Sequence, residues 1–139
     1  MTPAIGAAVD PLVAVKAYLM AELSARGDDQ HVGVTPPTGK PDRYILIGYG
    51  DENAPTRFLG EHLVDIVLYD SDAERLGLKT HLVVALMRSV SNTPVDTEQG
   101  RTHLIAGRLE FGPKDYPDPD VPLFGRRIGV GLLMANTIL

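Results

Sequence analysis

Residues 57–90 read RFLGEHLVDIVLYDSDAERLGLKTHLVVALMRSV, and in this stretch a strand pattern passes directly into a helix pattern. The strand part carries apolar residues at both odd and even positions: Leu63, Val64, Ile66, Val67, Leu68 and Tyr69. Apolar side chains on both faces are typical of a strand that is covered on both sides. We therefore predict a central strand here and build the rest of the domain around it.

A helix is predicted to follow at once. Ser71 and Glu74 form a capping box, in which a hydroxyl and a carboxylate three residues apart satisfy two of the amide donors that a helix start leaves unpaired. The helix is predicted to begin at about Asp72 and to run to Val90. At 100° per residue, one apolar stripe contains Ala73, Leu76, Thr80, Val83, Val84, Met87 and Val90.

A second apolar group on the same helix points in another direction: Leu78, Leu82, Ala85 and Leu86. A helix that lies on one sheet at a protein surface needs only a stripe somewhat over 100° wide. The helix is thus predicted to have more apolar surface than one sheet covers. Either a second helix of the same chain or a neighbouring subunit covers the excess.

The remaining elements follow from shorter patterns. Asp10-Pro11 starts a helix over residues 10–26 and Gly27 ends it, while residues 44–50 form a strand that pairs with the central strand as a hairpin. Further strands are predicted as follows: a possible short one at 31–34, then 103–111 and 126–135. The intervening segments are predicted to be irregular: the turn 51–56, the polar segment 91–101 and two proline-rich loops at 35–42 and 112–125.

These elements predict an α+β fold, with two helices packed on a largely antiparallel sheet of four to five strands. With 139 residues, the chain is long enough for a single domain, 1–139, that buries its core without disulfides or metals. It contains no cysteine, which excludes disulfides, a thiol nucleophile and cysteine-bound metals. The lack of a basic leader and of a long apolar run favours an intracellular, soluble protein without a membrane span.

The sequence offers no catalytic motif, and we expect neither a cofactor nor a metal. No HExxH or GxSxG pattern is present, and the four histidines are not spaced as metal ligands. Asp65, inside the apolar strand, is interpreted as partly exposed or paired with arginine. The net charge of −5 argues against tight DNA binding, and Lys114, Arg126 and Arg127 are enough only for a salt bridge to an acidic neighbour.

The order of elements resembles the tail terminator proteins of long-tailed bacteriophages, the minor tail protein U-like group. The resemblance lies in the helix 10–26, the strand Leu63 to Tyr69 running into the capped helix 72–90, and the closing strands from Leu104 and Ile128. It implies a non-enzymatic protein that forms a hexameric ring, caps the tail tube, stops its polymerisation and joins the tail to the head connector protein. It also implies a place in the virion tail, after assembly in the host cytoplasm.

A ring needs surfaces for the neighbouring subunit and for the tube. We predict that these surfaces include the excess apolar residues of the second helix and the charged residues of the second proline-rich loop and its flanks: Leu78, Leu82, Leu86, Lys114, Asp115, Tyr116, Asp118, Asp120, Arg126 and Arg127. Both proline-rich loops are stiff arms suited to reaching a partner. An acidic ring would let genomic DNA pass without specific binding.

Three alternatives stay open. Another head-to-tail connector or neck protein would share ring assembly but would not stop the tube. A small hydrolase would need a pocket in which polar groups converge in a monomer. A monomeric binding module would tolerate a charge at Leu82.

Overall fold

The computed structural model describes residues 9–50 and 61–135 and has an α+β architecture. In these ranges the chain forms two helices and six strands, in the order α1 (Pro11–Ser24), β1 (His31–Gly33), β2 (Arg43–Tyr49), β3 (Glu61–Asp70), α2 (Ala73–Arg88), β4 (Ser91–Thr97), β5 (Gly100–Asp115) and β6 (Phe124–Met134). The predicted fold class is therefore confirmed, but the sheet has six strands instead of four to five. No helix within the described ranges is long and apolar enough to cross a membrane.

The described strands form one mixed sheet in the order β1-β2-β3-β6-β5-β4. β1 runs parallel to β2, and every other neighbouring pair is antiparallel. The predicted hairpin between β2 and β3 is confirmed, with Ile45 opposite Leu68. The predicted turn at 51–56 lies outside the described residues, as does the stretch 57–60 before β3. β3 occupies the middle of the sheet, as the sequence predicted.

The sheet curls into a half-barrel around the two helices. α1 contacts both β1 and β4, which lie at opposite ends of the strand order, so the sheet edges bend toward the same helix. α2 packs beside α1 against β3, β5 and β6. The hydroxyl of Tyr18 on α1 donates a 2.7 Å hydrogen bond to the carbonyl of Leu86 on α2 and joins the two helices. The core lies between the helices and the concave face of the sheet.

The central strand is fully buried on one face only. Val64, Ile66 and Leu68 point toward the helices and are inaccessible to solvent. Leu63 and Val67 lie on the convex face and are half-buried. The predicted cover of the second face is therefore only partial: Tyr69 is 4% exposed there, but Leu63 and Val67 are half-buried, because both helices pack on the concave face of the curled sheet.

Both helix starts are capped by aspartate. The Asp10 carboxylate accepts a 2.8 Å hydrogen bond from the Leu12 amide, as the Asp-Pro pattern predicted. At α2 the cap is Asp72, whose Oδ1 accepts the amides of Glu74 and Arg75 at 2.9 Å and 3.1 Å. The predicted Ser71 cap was therefore one residue too early. The Ser71 amide instead donates to the Asp42 carbonyl at 2.9 Å, which holds that residue outside the helix.

The segment 91–101, predicted to be irregular, contains a strand. β4 pairs with β5 from Ser91 opposite Ala106 to Thr97 opposite Gly100. Pro94 is tolerated because β4 is an edge strand, where a missing amide does not interrupt a ladder on the outer side. Val95 is buried and ties the edge to the core.

The second proline-rich loop is shorter than predicted. Residues 112–115 continue β5, so the irregular part covers only 116–123. A register shift between Phe111 and Lys114 takes up Gly112 and Pro113, and Gly112 has a left-handed φ of +85°. The pairing of β4 with β5 does not extend beyond Ala106, so Pro113 lies on an open edge of the sheet and interrupts no central ladder.

Candidate functional site

The two proline-rich loops lie side by side and enclose a cleft of about 620 Å³ at the end of the sheet where β2 begins. We call this the proline cleft. Its apolar lining consists of Pro36, Pro37, Pro41, Tyr44, Val121, Pro122 and Leu123. Its polar lining consists of Lys40, Asp42, Ser71 and Asp120, together with the backbone of Gly39. The sequence predicted both loops as arms for a partner but did not predict that they meet.

The first loop is fixed at Asp42. Its carbonyl accepts the Ser71 amide, and its carboxylate pairs with Arg43 at 3.2 Å and with Arg75 at 3.1 Å. Arg75 lies in the first turns of α2, so the loop is held against the start of that helix. One wall of the proline cleft is thereby attached to the core of the domain.

The second loop is fixed at both ends. The Tyr116 amide donates to the Gly125 carbonyl at 3.0 Å and closes the β5–β6 connection. Within the loop, the Asp120 amide donates a 3.0 Å hydrogen bond to the Asp118 carboxylate. The Val121 amide donates another, also 3.0 Å long, to the Asp118 carbonyl. This local turn directs Val121 into the proline cleft. The second wall of the proline cleft is therefore also held in place, by backbone and side-chain hydrogen bonds of its loop.

Two stacked tyrosines support the cleft from the sheet. The rings of Tyr44 and Tyr69 lie 4.9 Å apart between centroids and are tilted by 37°. The Tyr69 hydroxyl donates to the Asp118 carboxylate at 3.4 Å. Burial, and secondarily the negative charge of Asp118, raises the pKa of Tyr69 to about 12. Burial also raises the pKa of Tyr44. Both phenols therefore stay neutral at physiological pH.

A buried charge cluster lies at the start of α2. The Asp70 carboxylate is completely buried and contacts Arg75 at 2.7 Å and Lys79 at 3.8 Å. Lys79, itself 7% exposed, also pairs with Asp28 at 3.1 Å. The cluster links β3, α2 and the segment before β1, and it gives the loop at Asp42 a rigid base. Because its groups neutralise one another, we interpret it as structural.

The charge cluster was not predicted from the sequence, although the helix wheel contained a signal for it. On the wheel, Lys79 falls between Val90 and Leu86, where the two predicted apolar groups of the helix meet. A buried lysine needs a carboxylate partner. That requirement could have directed attention to Asp70 at the end of the preceding strand.

The predicted basic residues of the β5–β6 hairpin are paired within the subunit. Arg126 lies opposite Asp115 in the register and contacts it at 2.9 Å. Arg127 pairs with Asp65 at 2.6 Å, which confirms the prediction that this strand aspartate is paired with arginine. Lys114 and Arg127 both lie over the ring of Phe111, at 5.2 Å and 5.1 Å from its centroid.

The predicted excess apolar face of α2 is smaller in the structure. Leu78 is 69% exposed, but Leu82 is partly buried against the core and Leu86 is only 5% exposed. Leu86 is therefore not available to a neighbouring subunit. The predicted stripe failed because the second helix, α1, covers this side, through Tyr18 among others. The outward line of α2 consists of Glu74, Leu78, His81, Ala85 and Arg88.

The proline cleft and Leu78 lie on different parts of the subunit surface. Tyr44 alternates with the core residue Ile45, so its ring is on the convex face of the sheet. Leu78 lies on the outward side of α2, which packs on the concave face. The subunit therefore presents two unlike surfaces at separate places.

No three histidine, aspartate or glutamate side chains in the described part of the chain are grouped so that they could hold a metal ion. The sequence matches no protein-family model, and no curated protein is significantly similar to it.

Proposed function

We propose that this protein is a tail-terminator-like assembly protein of a long-tailed phage. In this role it forms a hexameric ring on the last ring of the tail tube, stops tube polymerisation and joins the tail to the head connector protein. The role needs no enzymatic activity. The ring assembles in the host cytoplasm and becomes part of the tail of the virion.

The proposal rests on one observation, the pair of unlike surfaces at separate places on the subunit. A subunit whose two association surfaces differ binds its neighbours head to tail, and such contacts close into a ring when the rotation per subunit permits it. Leu78 provides an exposed apolar residue on α2, and the proline cleft provides an apolar recess between the two loops.

The charge distribution supports passage of DNA through the ring. The chain has a net charge of −5, and Arg126 and Arg127 are neutralised by Asp115 and Asp65 within the subunit. Phosphate binding requires cations that are free to replace counterions. A ring of such subunits therefore presents few unpaired cations that could bind the phosphates of genomic DNA.

The experiment examines the purified full-length chain by native mass spectrometry and negative-stain microscopy. It then adds the protein to polymerising tail-tube subunits. We expect a six-fold species that shortens or arrests the tubes. A ring that leaves tube length unchanged would favour another neck protein. A species that stays monomeric at every concentration, both alone and on tubes, would overturn the proposal.

A matched pair of variants separates folding from assembly. Leu78→Glu places a charge on the outward face of α2, and Met20→Glu places one at a 44% exposed apolar position of α1. We expect both variants to fold, as measured by circular dichroism and thermal unfolding. Only Leu78→Glu should fail to assemble and to arrest tubes, because a charge would be trapped against apolar surface.

A further inference from the structure

We propose that the proline cleft of one subunit receives the side chain of Leu78 from the next copy of this chain. The inference rests on the proposed function and deepens it by naming the contact that holds neighbouring subunits together. Its occupant is a second copy, because the chain itself presents an exposed leucine whose flanking polar groups complement those of the cleft.

The apolar match is the first argument. Leu78 is the most exposed large apolar side chain in the described ranges. The proline cleft is walled by Pro36, Pro37 and Pro122, whose rigid rings lose little entropy when a side chain binds between them, and by Val121. Both loops are anchored to the domain, so the recess exists before the neighbour arrives. A single branched aliphatic side chain fits such a recess without rearrangement.

The flanking charges are the second argument. On α2, Leu78 has exposed Glu74 one turn before it and exposed His81 about one turn after it. The cleft carries Lys40 on one loop and Asp120 on the other, both exposed. When Leu78 of one copy is inserted into the cleft of the next, its Glu74 can form an ion pair with Lys40. On the other side of Leu78, the His81 ring can donate a hydrogen bond to the Asp120 carboxylate. This arrangement sets the direction in which the helix crosses the cleft.

These groups are not used within the subunit. Among the described residues, the side chains of Lys40, Glu74 and Asp120 form no ion pair, whereas Arg75 and Asp42 beside them are paired with each other. Asp42 therefore does not compete for a cation of the neighbour. The complementary charges give the contact its specificity more than its strength.

The difference between the two contact surfaces is the third argument. A contact between Leu78 and the proline cleft joins two different patches, so every subunit that binds one neighbour keeps a free group for the next. A two-fold dimer would instead make the same contact twice between the same two copies, and the double cysteine variant described below would then give a covalent dimer in place of a ladder. Repetition of the contact from copy to copy gives chains or rings of subunits.

Disulfide trapping tests the contact directly, because the chain contains no native cysteine. Leu78→Cys protein is mixed with Val121→Cys protein and oxidised, and Met20→Cys mixed with Val121→Cys is the control. We expect a cross-linked heterodimer only with Leu78→Cys, since disulfides require Cα atoms within about 7 Å. The double variant Leu78→Cys, Val121→Cys should give a ladder of covalent oligomers.

Charge reversal provides an independent readout. We expect Lys40→Glu to weaken self-association about tenfold or more, because Glu74 of the neighbour then meets a like charge. Adding Glu74→Lys to the same chain restores the pair and should restore assembly. An unfolded single variant would be recognised by thermal unfolding, and the disulfide test would then decide alone.

The outcomes separate this inference from the proposed function. A wild-type ring without the Leu78–Val121 cross-link overturns the contact and leaves the ring intact. Cross-linked rings that do not arrest tail tubes support the contact and count against the tail role. A monomer at every concentration, with no cross-link, overturns both.

Discussion

Arg75 binds the carboxylate of Asp70 through two nitrogens at once: Nη2 lies 2.7 Å from Oδ1, and Nε lies 2.8 Å from Oδ2. Asp70 is the last residue of β3, and Arg75 lies in the first turns of α2. The pair therefore fixes the strand-to-helix junction that the sequence identified as the centre of the fold. Lys79 approaches the same carboxylate one turn further along the helix.

The first prediction concerns removal of this buried charge. We expect Asp70→Asn to lower the free energy of unfolding by about 3 kcal/mol, because it leaves Lys79 buried without its full countercharge. Urea unfolding measures the loss. Asp96→Asn is the control, since Asp96 and Arg101 form an exposed pair at 3.1 Å that is worth about 0.5 kcal/mol or less. Equal effects of the two variants would contradict a structural role for the cluster.

The same cluster predicts loss of stability in acid. Burial alone would raise the pKa values of Asp70 and Asp28, but hydrogen bonds and charges from Arg75 and Lys79 outweigh it, so both pKa values lie below 3.8. A carboxyl whose pKa is lowered by folding stabilises the protein above its unfolded pKa. That stability is lost as the pH falls from about 5 through 3.8 and below.

Asp28→Asn tests this acid dependence. The variant removes one of the two shifted carboxyls, so its free energy of unfolding should fall less steeply between about pH 5 and pH 3 than that of the wild type. Urea titrations at several pH values give both slopes. Parallel slopes would show that Asp28 does not contribute to acid unfolding.

Two glycines are predicted to respond in opposite ways to alanine. A Cβ at Gly107 would collide with the Met87 carbonyl at the end of α2, and backbone on both sides prevents relief. We expect Gly107→Ala to lower the free energy of unfolding by about 2 kcal/mol. Gly77 lies inside α2 with open space around its Cβ position, so Gly77→Ala should raise the free energy by about 1 kcal/mol. Thermal unfolding of both variants would measure these changes. Destabilisation by Gly77→Ala would contradict the open space around the Cβ position of Gly77.

The tyrosine pair beneath the proline cleft predicts an alkaline transition. The pKa of Tyr69 is raised from 10.0 to about 12, so the folded state holds this proton more tightly than the unfolded state. Its contribution to stability is present below pH 10 and is lost as the pH rises toward about 12. Phenolate absorbance should show this transition, which Tyr69→Phe removes and Asp118→Asn moves to lower pH. An unchanged titration of Tyr69→Phe would disprove the assignment.

The candidate site was predictable only in part. The composition of residues 35–42 and 112–125 identified both proline-rich loops, because proline and glycine act locally on the backbone. That they meet in one cleft depends on the pairing of Tyr44 with Tyr69 across β2 and β3, which brings the start of one strand beside the end of the other. The meeting of the two loops follows from the register between β2 and β3. It produces no recognisable pattern in the sequence of either loop.

Local chemistry also limited the strand predictions. Pro113 and the other prolines of residues 112–125 argued against a strand because proline lacks an amide, yet Pro113 lies where the neighbouring position on one side of the ladder is open. Residues 91–101 were predicted to be irregular because they are polar, but an edge strand such as β4 accepts polar residues. Whether a strand is at an edge depends on the whole sheet.

The amino-acid sequence alone determined the two helices, the Asp10-Pro11 start of the first, the central strand and the α+β class, because periodicity and capping act over a few residues. Only the tertiary structure decided which apolar residues of α2 are exposed. Leu86 and Leu78 are equally apolar, but α1 packs over the first and not the second. The sheet curls both of its edges toward α1, and this long-range arrangement covers one leucine and leaves the other on the surface.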